Sequence, residues 1–341
     1  MSRKNENKKR ANGDGTIRKI TTTRNGKEYT YWQGRYTEGY DACTGKQIQR
    51  SITGKTQKEV AQKLRQITAE IDAKTYVAPC KLSISEWMSI WAQDYLVGVK
   101  ASTAYLYRRT IELYIDPHLG HIRLDALNAH AGQHFYNELA KPSKPDAAPL
   151  SAKSIKNIHG VLHKALKQAV LIGYLRTNPT EACILPRIIR KEMHPLEEDQ
   201  VAVFLREVQG HPHEYLYKIA LFTGLREGEV LGLSWEHIDF QTGTLTVKRQ
   251  LRREQKKGGG YYFSPPKNNK SRCLTLAPSV IQLFRLQKLE QNSMRMEAGD
   301  AWEEHGLIFT NQTGGYLSYR TVYDCFKRIV RNIGAPVTRF H

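Results

Sequence analysis

Thr223-Gly224-Leu225-Arg226-Glu227-Gly228-Glu229 lies between two apolar helical runs. Gly224 can turn the chain tightly there, and Arg226 can open a new helix facing the turn. A guanidinium so held presents a fork of donors matched to two non-bridging phosphate oxygens, and Glu229, three residues on, can orient it or cap the same turn. The plain alternative is a surface helix start with ordinary i,i+3 charges. Further along, Lys267 stands in Pro265-Pro266-Lys267-Asn268-Asn269-Lys270-Ser271-Arg272, a basic stretch between strand-like runs that reads as a hairpin tip. A lysine on a mobile hairpin can enter a DNA groove and donate a proton to a leaving sugar oxygen. Nonspecific phosphate contact is its simpler use.

Other constellations carry less. His130-x-x-x-His134 and His159-x-x-x-His163 have helical metal-ligand spacing, but neither has a nearby acid or cysteine, so a solvated or DNA-facing surface is expected and no metal. Gly258-Gly259-Gly260 lacks the Lys-Ser/Thr partner of a nucleotide loop. Cysteines at 43, 80, 183, 273 and 325 are odd in number and widely spaced, which argues against a disulfide framework or zinc cluster and fits a reducing cytoplasm.

The elements that position these residues follow from patterning. Residues 16–20, 29–37 and 46–53 read as strands joined at Asn25-Gly26 and Thr44-Gly45. Alternation puts Trp32, Tyr36, Ile48 and Ile52 on one face and Tyr31, Gln33, Arg35, Gln47 and Gln49 on the other. A helix with Val60, Leu64, Ile67 and Ile71 in one stripe covers the apolar face, opened by a capping box of Thr56 and Glu59. Helices follow to about residue 176: one with Trp87, Met88, Trp91 and Tyr95 behind Ser83-x-x-Glu86; one over 102–115 using Leu106, Ile111, Leu113 and Tyr114 and stopped by Pro117; then 128–139 and 154–172. Beyond residue 196 a mixed region is expected, with helices at 198–208, 214–223, 227–233, 278–292 and 319–332 and strands at 244–250 and 272–276. The fold class is therefore multidomain α+β: a small three-stranded sheet plus helix, an all-α bundle, then a mixed, mostly helical domain.

The 341 residues hold 52 Lys and Arg against 33 Asp and Glu, a formal charge of +19, so the partner is expected to be an anion and most simply nucleic acid. With 40% apolar and 25% charged residues, disorder throughout is excluded. No apolar run reaches the roughly 18 residues of a membrane span, and the basic amino terminus lacks the apolar stretch of a secretory signal. The expected location is cytoplasmic, with the nucleoid.

Order and spacing resemble the tyrosine recombinases, specifically the integrases of phages and conjugative transposons. The resemblance is carried by the βββα module; by Ile115-Asp116-Pro117-His118-Leu119-Gly120 and Gly173-Tyr174-Leu175-Arg176-Thr177-Asn178-Pro179; by Thr223-Gly224-Leu225-Arg226-x-x-Glu229 with Leu231-x-Leu233-x-Trp235-x-x-Ile238-Asp239; by Pro266-Lys267; and by Thr338-Arg339-Phe340-His341. It implies a basic flexible tail at 1–15, an arm-type DNA-binding domain at 16–77, a core-binding domain at 82–180, a basic linker at 181–192 and a catalytic domain at 193–341. Arg226 would grip the scissile phosphate. Lys267, five residues before Arg272 in the family's K-x-x-x-x-R pattern, would protonate the leaving 5′ oxygen, with Lys270 as runner-up. His341 would open the H-x-x-R box.

Family members continue past that box to a second arginine and the tyrosine nucleophile, whereas the sequence stops at His341, so the expectation is a catalytic domain incomplete at its carboxyl end that binds DNA without cleaving it. A phenol conserves the bond energy as phosphotyrosine, so neither cofactor nor metal is required. Tyr316, Tyr319 and Tyr323 precede His341 and read as packing residues. Expected DNA contacts are Gln33, Arg35, Gln47 and Gln49 on the polar sheet face, Lys100, Arg108, Arg109, Lys153 and Lys156 in the helical domain, and Arg187, Arg190 and Lys270. Implied partners are double-stranded DNA at core and arm sites, a tetramer on paired duplexes, and an excisionase or DNA-bending protein. A noncatalytic DNA-binding regulator made from an integrase fragment is the alternative.

Overall fold

Asn25 and Gly26 both take positive φ (50° and 74°), the mirror-image turn whose twist matches a hairpin, and they join β1 (Thr16–Arg24) to β2 (Lys27–Tyr40). The computed structural model describes residues 16–41, 44–73, 76–142, 148–189, 192, 194–254, 258–267, 269–336 and 338–340. It divides into two compact units, Met1–Ile188 and Ile189–His341.

In the first unit β3 (Gln47–Gly54) completes an antiparallel meander in the order β1-β2-β3. Helix α1 (Gln57–Asp72) buries Val60 and Leu64 against it. Gly34 makes the approach possible, because a Cβ there would lie 2.7 Å from Leu64 Cδ1 and 2.8 Å from Val60 Cγ1. Two expectations need correction. Ile48 is exposed, because a bulge between Thr37 and Gly39 shifts the register and sets it opposite a glycine. The capping box is only half made: Thr56 accepts from the Glu59 amide, but the Glu59 carboxylate reaches back to the Lys55 amide instead of closing on Thr56.

The helical part begins with α2 (Ile84–Asp94), whose capping box of Ser83 and Glu86 is complete. Trp87, Met88 and Trp91 are buried, and Trp87 Nε1 donates to the Ala165 carbonyl at 3.1 Å. Pro117 does not stop the next helix. α3 (Ala101–Thr110) runs through a π-turn (Ile111–Ile115) into α4 (Asp116–Leu119), where Pro117 sits in the first turn and its missing N–H is not needed. The buried stripe falls at i, i+7 and i+11 from Ala104, which leaves positions i+2 and i+9 on the opposite side of the helix. Ala104, Ile111, Ile115 and Leu119 face the core, while Leu106 and Leu113, expected there, are exposed. α5 (Ala129–Leu139) starts at the Asn128 cap, and α6 (Ala152–Leu171) ends before Gly173 at φ 79°.

The second unit holds α7 (Glu198–Glu207), α8 (Glu214–Thr223), α9 (Glu227–Leu231), β4 (Ile238–Asp239), β5 (Thr244–Val247), β6 (Gln250–Arg253), β7 (Tyr261–Ser264), β8 (Arg272–Thr275), α10 (Pro278–Ala298) and α11 (Tyr319–Asn332). Its core includes Leu225, Val230, Leu231, Leu245, Val247, Leu251, Phe284, Ile308 and Val322. Strands β4, β5 and β8 form one antiparallel sheet, and β6 and β7 a separate hairpin. The stretch from Pro265 to Ser271 is therefore not a hairpin tip: it crosses from β7 in one sheet to β8 in the other. The strand expected over 244–250 likewise splits, with Gln250 opening the hairpin.

Candidate functional site

Gly224 ends α8 in the left-handed region, φ 63°, and donates its N–H to the Ala220 carbonyl at 3.0 Å. Leu225 is then buried completely, and Arg226 takes the extended cap position of α9. Burial of one neighbour fixes the other: the Arg226 guanidinium leaves the turn with half its side-chain surface exposed.

Beneath it lies Glu229, whose side chain is 1% exposed. Its carboxylate accepts from four donors. Oε2 takes the Arg226 amide at 3.0 Å and Arg272 Nη2 at 2.7 Å; Oε1 takes Arg226 Nη1 at 3.2 Å and Arg272 Nη1 at 3.0 Å. That matches the roughly four lone-pair sites of an ionised carboxylate. Burial alone would raise the Glu229 carboxyl, but the Arg272 bonds and those from Arg226 hold it below the usual carboxylate range. The same bond to Glu229 holds the Arg272 guanidinium above its ordinary value, against the opposing effect of burial.

α9 lies close on β6 through two glycines one turn apart. A Cβ on Gly232 would meet the Leu251 amide at 2.7 Å, and one on Gly228 would collide with the Tyr319 hydroxyl. Tyr319 donates that hydroxyl to the Leu251 carbonyl. Between these walls Glu227 is half-buried; desolvation pushes its carboxyl up to about 7, and Oε1 has no hydrogen-bond partner among the described residues. Burial likewise pushes the phenols of Tyr217 and Tyr319 up, with Glu227 adding to both.

Lys267 is exposed on the crossing loop. At the loop's start the buried Gln250 donates Nε2 to the Pro265 carbonyl at 2.6 Å and accepts from Arg252 at 3.2 Å. Pro266 is buried, and its carbonyl accepts the Asn269 amide at 2.8 Å, with Asn269 at φ 54°. At the loop's end stands Arg272, on Glu229. Arg226 and the loop that carries Lys267 are thus tied to one carboxylate. Lys270 is exposed on the same loop.

The remaining expected residues are placed as follows. Gln33, Arg35, Gln47 and Gln49 share the polar face of the first sheet, where Gln47 donates to Thr37 and Gln49 to Gln47. Arg18, missed in the sequence, joins them by donating to Gln33. Lys100 is exposed at the cap of α3; Arg108 reaches the Ala92 carbonyl at 3.3 Å and Arg109 pairs with Glu112 at 3.1 Å. Lys153 and Lys156 lie in the first turns of α6, and Arg187 is exposed. Arg190, His341 and the tail 1–15 lie outside the described residues. His159 and His163 use Nδ1 on the Tyr136 hydroxyl and Thr180 Oγ1. Among the described residues no cluster of three metal-ligating side chains occurs, and no helix is long and apolar enough to cross a membrane.

The sequence pointed to Arg226, Glu229 and Lys267; it missed Arg272 and Gln250 as parts of the site, and the glycine pair 228/232. Small residues one helical turn apart were the available signal for that pair.

The mixed unit thus buries one carboxylate, Glu229, beneath two arginines, Arg226 and Arg272. Residues 194–341 match the phage integrase family and residues 83–140 the N-terminal SAM-like domain of phage integrases, and the chain belongs to this family of tyrosine recombinases. It is 26% identical to a tyrosine recombinase XerC-like protein of Caldanaerobacter subterraneus subsp. tengcongensis, over 95% of this chain and 85% of that one. It is 25% identical to an integrase of Streptomyces ambofaciens, over 88% and 76%. Among solved structures, the Tn1549 transposon integrase in complex with transposon right end DNA has the same fold, with a TM-score of 0.62 at 23% identity over 74% of this chain and 78% of that one. A lambda integrase dimer bound to a COC' core site superposes with a TM-score of 0.53 at 19% identity, covering 93% and 82%.

Proposed function

We propose that the protein is a site-specific DNA recombinase of a mobile element and that Arg226 and Lys267 act on one scissile phosphate. A tyrosine phenol, its proton passing to solvent, attacks phosphorus through oxygen and the P–O5′ bond breaks. Lys267 Nζ passes a proton to O5′, leaving a 5′-hydroxyl and a 3′-phosphotyrosine. Arg226 offsets the charge that gathers on the non-bridging oxygens, a role in which one oriented donor is worth about 3–4 kcal/mol. His341 assists at the same phosphate. The observation that carries this reading is the buried Glu229, which holds Arg226 and, through Arg272, the end of the loop bearing Lys267.

The described tyrosines nearby are engaged elsewhere: Tyr217 donates to the Val322 carbonyl, Tyr319 to Leu251, and Tyr316 stacks between Tyr261 and His305. The attacking phenol is none of these. The module 16–77 reads arm sites through Gln33, Arg35, Gln47 and Gln49; the domain 82–180 grips core-site phosphates through Lys100, Arg108, Arg109, Lys153 and Lys156; Arg187, Arg190 and Lys270 add further contacts. The 193–341 domain does the chemistry. The working assembly is a tetramer on paired duplexes at the nucleoid, assisted by an excisionase or DNA-bending protein.

The test is covalent trapping on nicked duplexes that carry the element's joined ends. A tyrosine adduct is expected with the full-length protein and is lost on Arg226→Ala. Specific binding without any adduct from the full-length protein would select the noncatalytic regulator instead.

A further inference from the structure

The loop that carries Lys267 is fastened at both ends, at its trailing end to the arginine site and at its leading end to the β6 residue Gln250. Its trailing end is Arg272, bidentate on Glu229. Its leading end is Pro265, whose carbonyl takes the Nε2 hydrogen of Gln250 at 2.6 Å. Gln250 is 8% exposed, and its neighbour Leu251 is the residue whose backbone lies against Gly228 of α9 and Gly232 at its carboxyl cap. Between the two anchors, the Asn269-to-Pro266 bond closes a turn with Lys267 directly after Pro266. A buried side-chain amide spent on one loop carbonyl is a costly group to leave unsatisfied, so the bond resists loosening of the loop.

We propose that Gln250 is a positioning residue for proton transfer: its bond to the Pro265 carbonyl sets where the Lys267 ammonium stands relative to the phosphate gripped by Arg226. This rests on Lys267 being the general acid. Arg272 serves the same loop, but it also holds Glu229 and hence Arg226, so Gln250 is the residue that separates the two effects.

The experiment is single-turnover cleavage by the full-length protein of two suicide duplexes made from the element's joined ends. One has an ordinary scissile phosphate and the other a sulfur in place of the bridging 5′ oxygen. A thiol is far more acidic than an alcohol, so a sulfur leaving group departs without a proton. Gln250→Leu and Gln250→Met remove the donor at similar size. Both are expected to slow cleavage of the ordinary duplex at least about 10-fold and to recover to within about 3-fold of the unaltered protein on the sulfur duplex, as Lys267→Ala does, while Arg226→Ala stays slow on both. Normal cleavage of the ordinary duplex by both Gln250 variants, or equal slowing on both duplexes, overturns the positioning role while leaving Lys267 as the acid. Failure of sulfur to rescue Lys267→Ala overturns the underlying assignment instead.

Discussion

Glu229 carries more of the site than either arginine, because two guanidiniums depend on its one carboxylate. Removing one partner of a buried ion pair costs about 3–5 kcal/mol. Arg226 is half-exposed and Arg272 about a third, so solvent takes up part of that loss. Glu229→Gln is therefore expected to destabilise the protein by about 1–3 kcal/mol in urea unfolding and to cut cleavage more deeply than binding. Its lowered pKa means that this stabilisation is fully present above the unfolded value near 4.3 and disappears as pH falls through the folded one. Glu227 has the opposite sign. Held at about 7 when folded, it keeps its proton while the unfolded chain has released it, so stability declines as pH rises from the unfolded value through 7. Glu227→Gln should gain about 1–2 kcal/mol at about pH 8 and close to nothing at about pH 5; an equal gain at both would show that burial does not tune this carboxyl. Arg226 and Glu229 were legible because i,i+3 spacing is a local fact. Arg272 was not, since its pairing with Glu229 depends on how β8 meets α9.

Elements were legible where turn chemistry and periodicity agreed. Asn25-Gly26 placed the first hairpin, and Ser83 with Glu86 placed α2. They were misread where one residue type carries two meanings. Pro117 signals a stop, but a π-turn delivers it to the first turn of α4, and Leu113, nine residues after the buried Ala104, falls on the opposite face. Ile115→Ala is accordingly expected to cost about 2–5 kcal/mol and Leu113→Ala well under half of that; chemical denaturation of the pair, with the costs reversed, would mean that Leu113 and not Ile115 faces the core. The β6–β7 hairpin is only half legible, because basic residues and a glycine run hide its short alternation and leave residues 252–257 readable as a solvated strand end or as a hairpin; Leu251 faces the core with Phe263 opposite it.

At the scale of the whole molecule the excess of 19 positive charges lies on a chain with exposed Arg35, Lys100, Lys153 and Arg187. Binding driven by release of counterions from phosphates should weaken by about 10³–10⁵-fold between roughly 50 and 200 mM salt, and a filter-binding series with a flat salt response would remove the proposed contacts together. That experiment weighs the charge and leaves the chemistry untouched. The most direct measurement is a structure of the full-length protein on a duplex carrying its core site. The prediction is that the Arg226 guanidinium and the Lys267 ammonium both lie within about 3 Å of oxygens of a single phosphate, Lys267 at the bridging 5′ position. Finding them on different phosphates, or Lys267 turned away from the DNA, would contradict it.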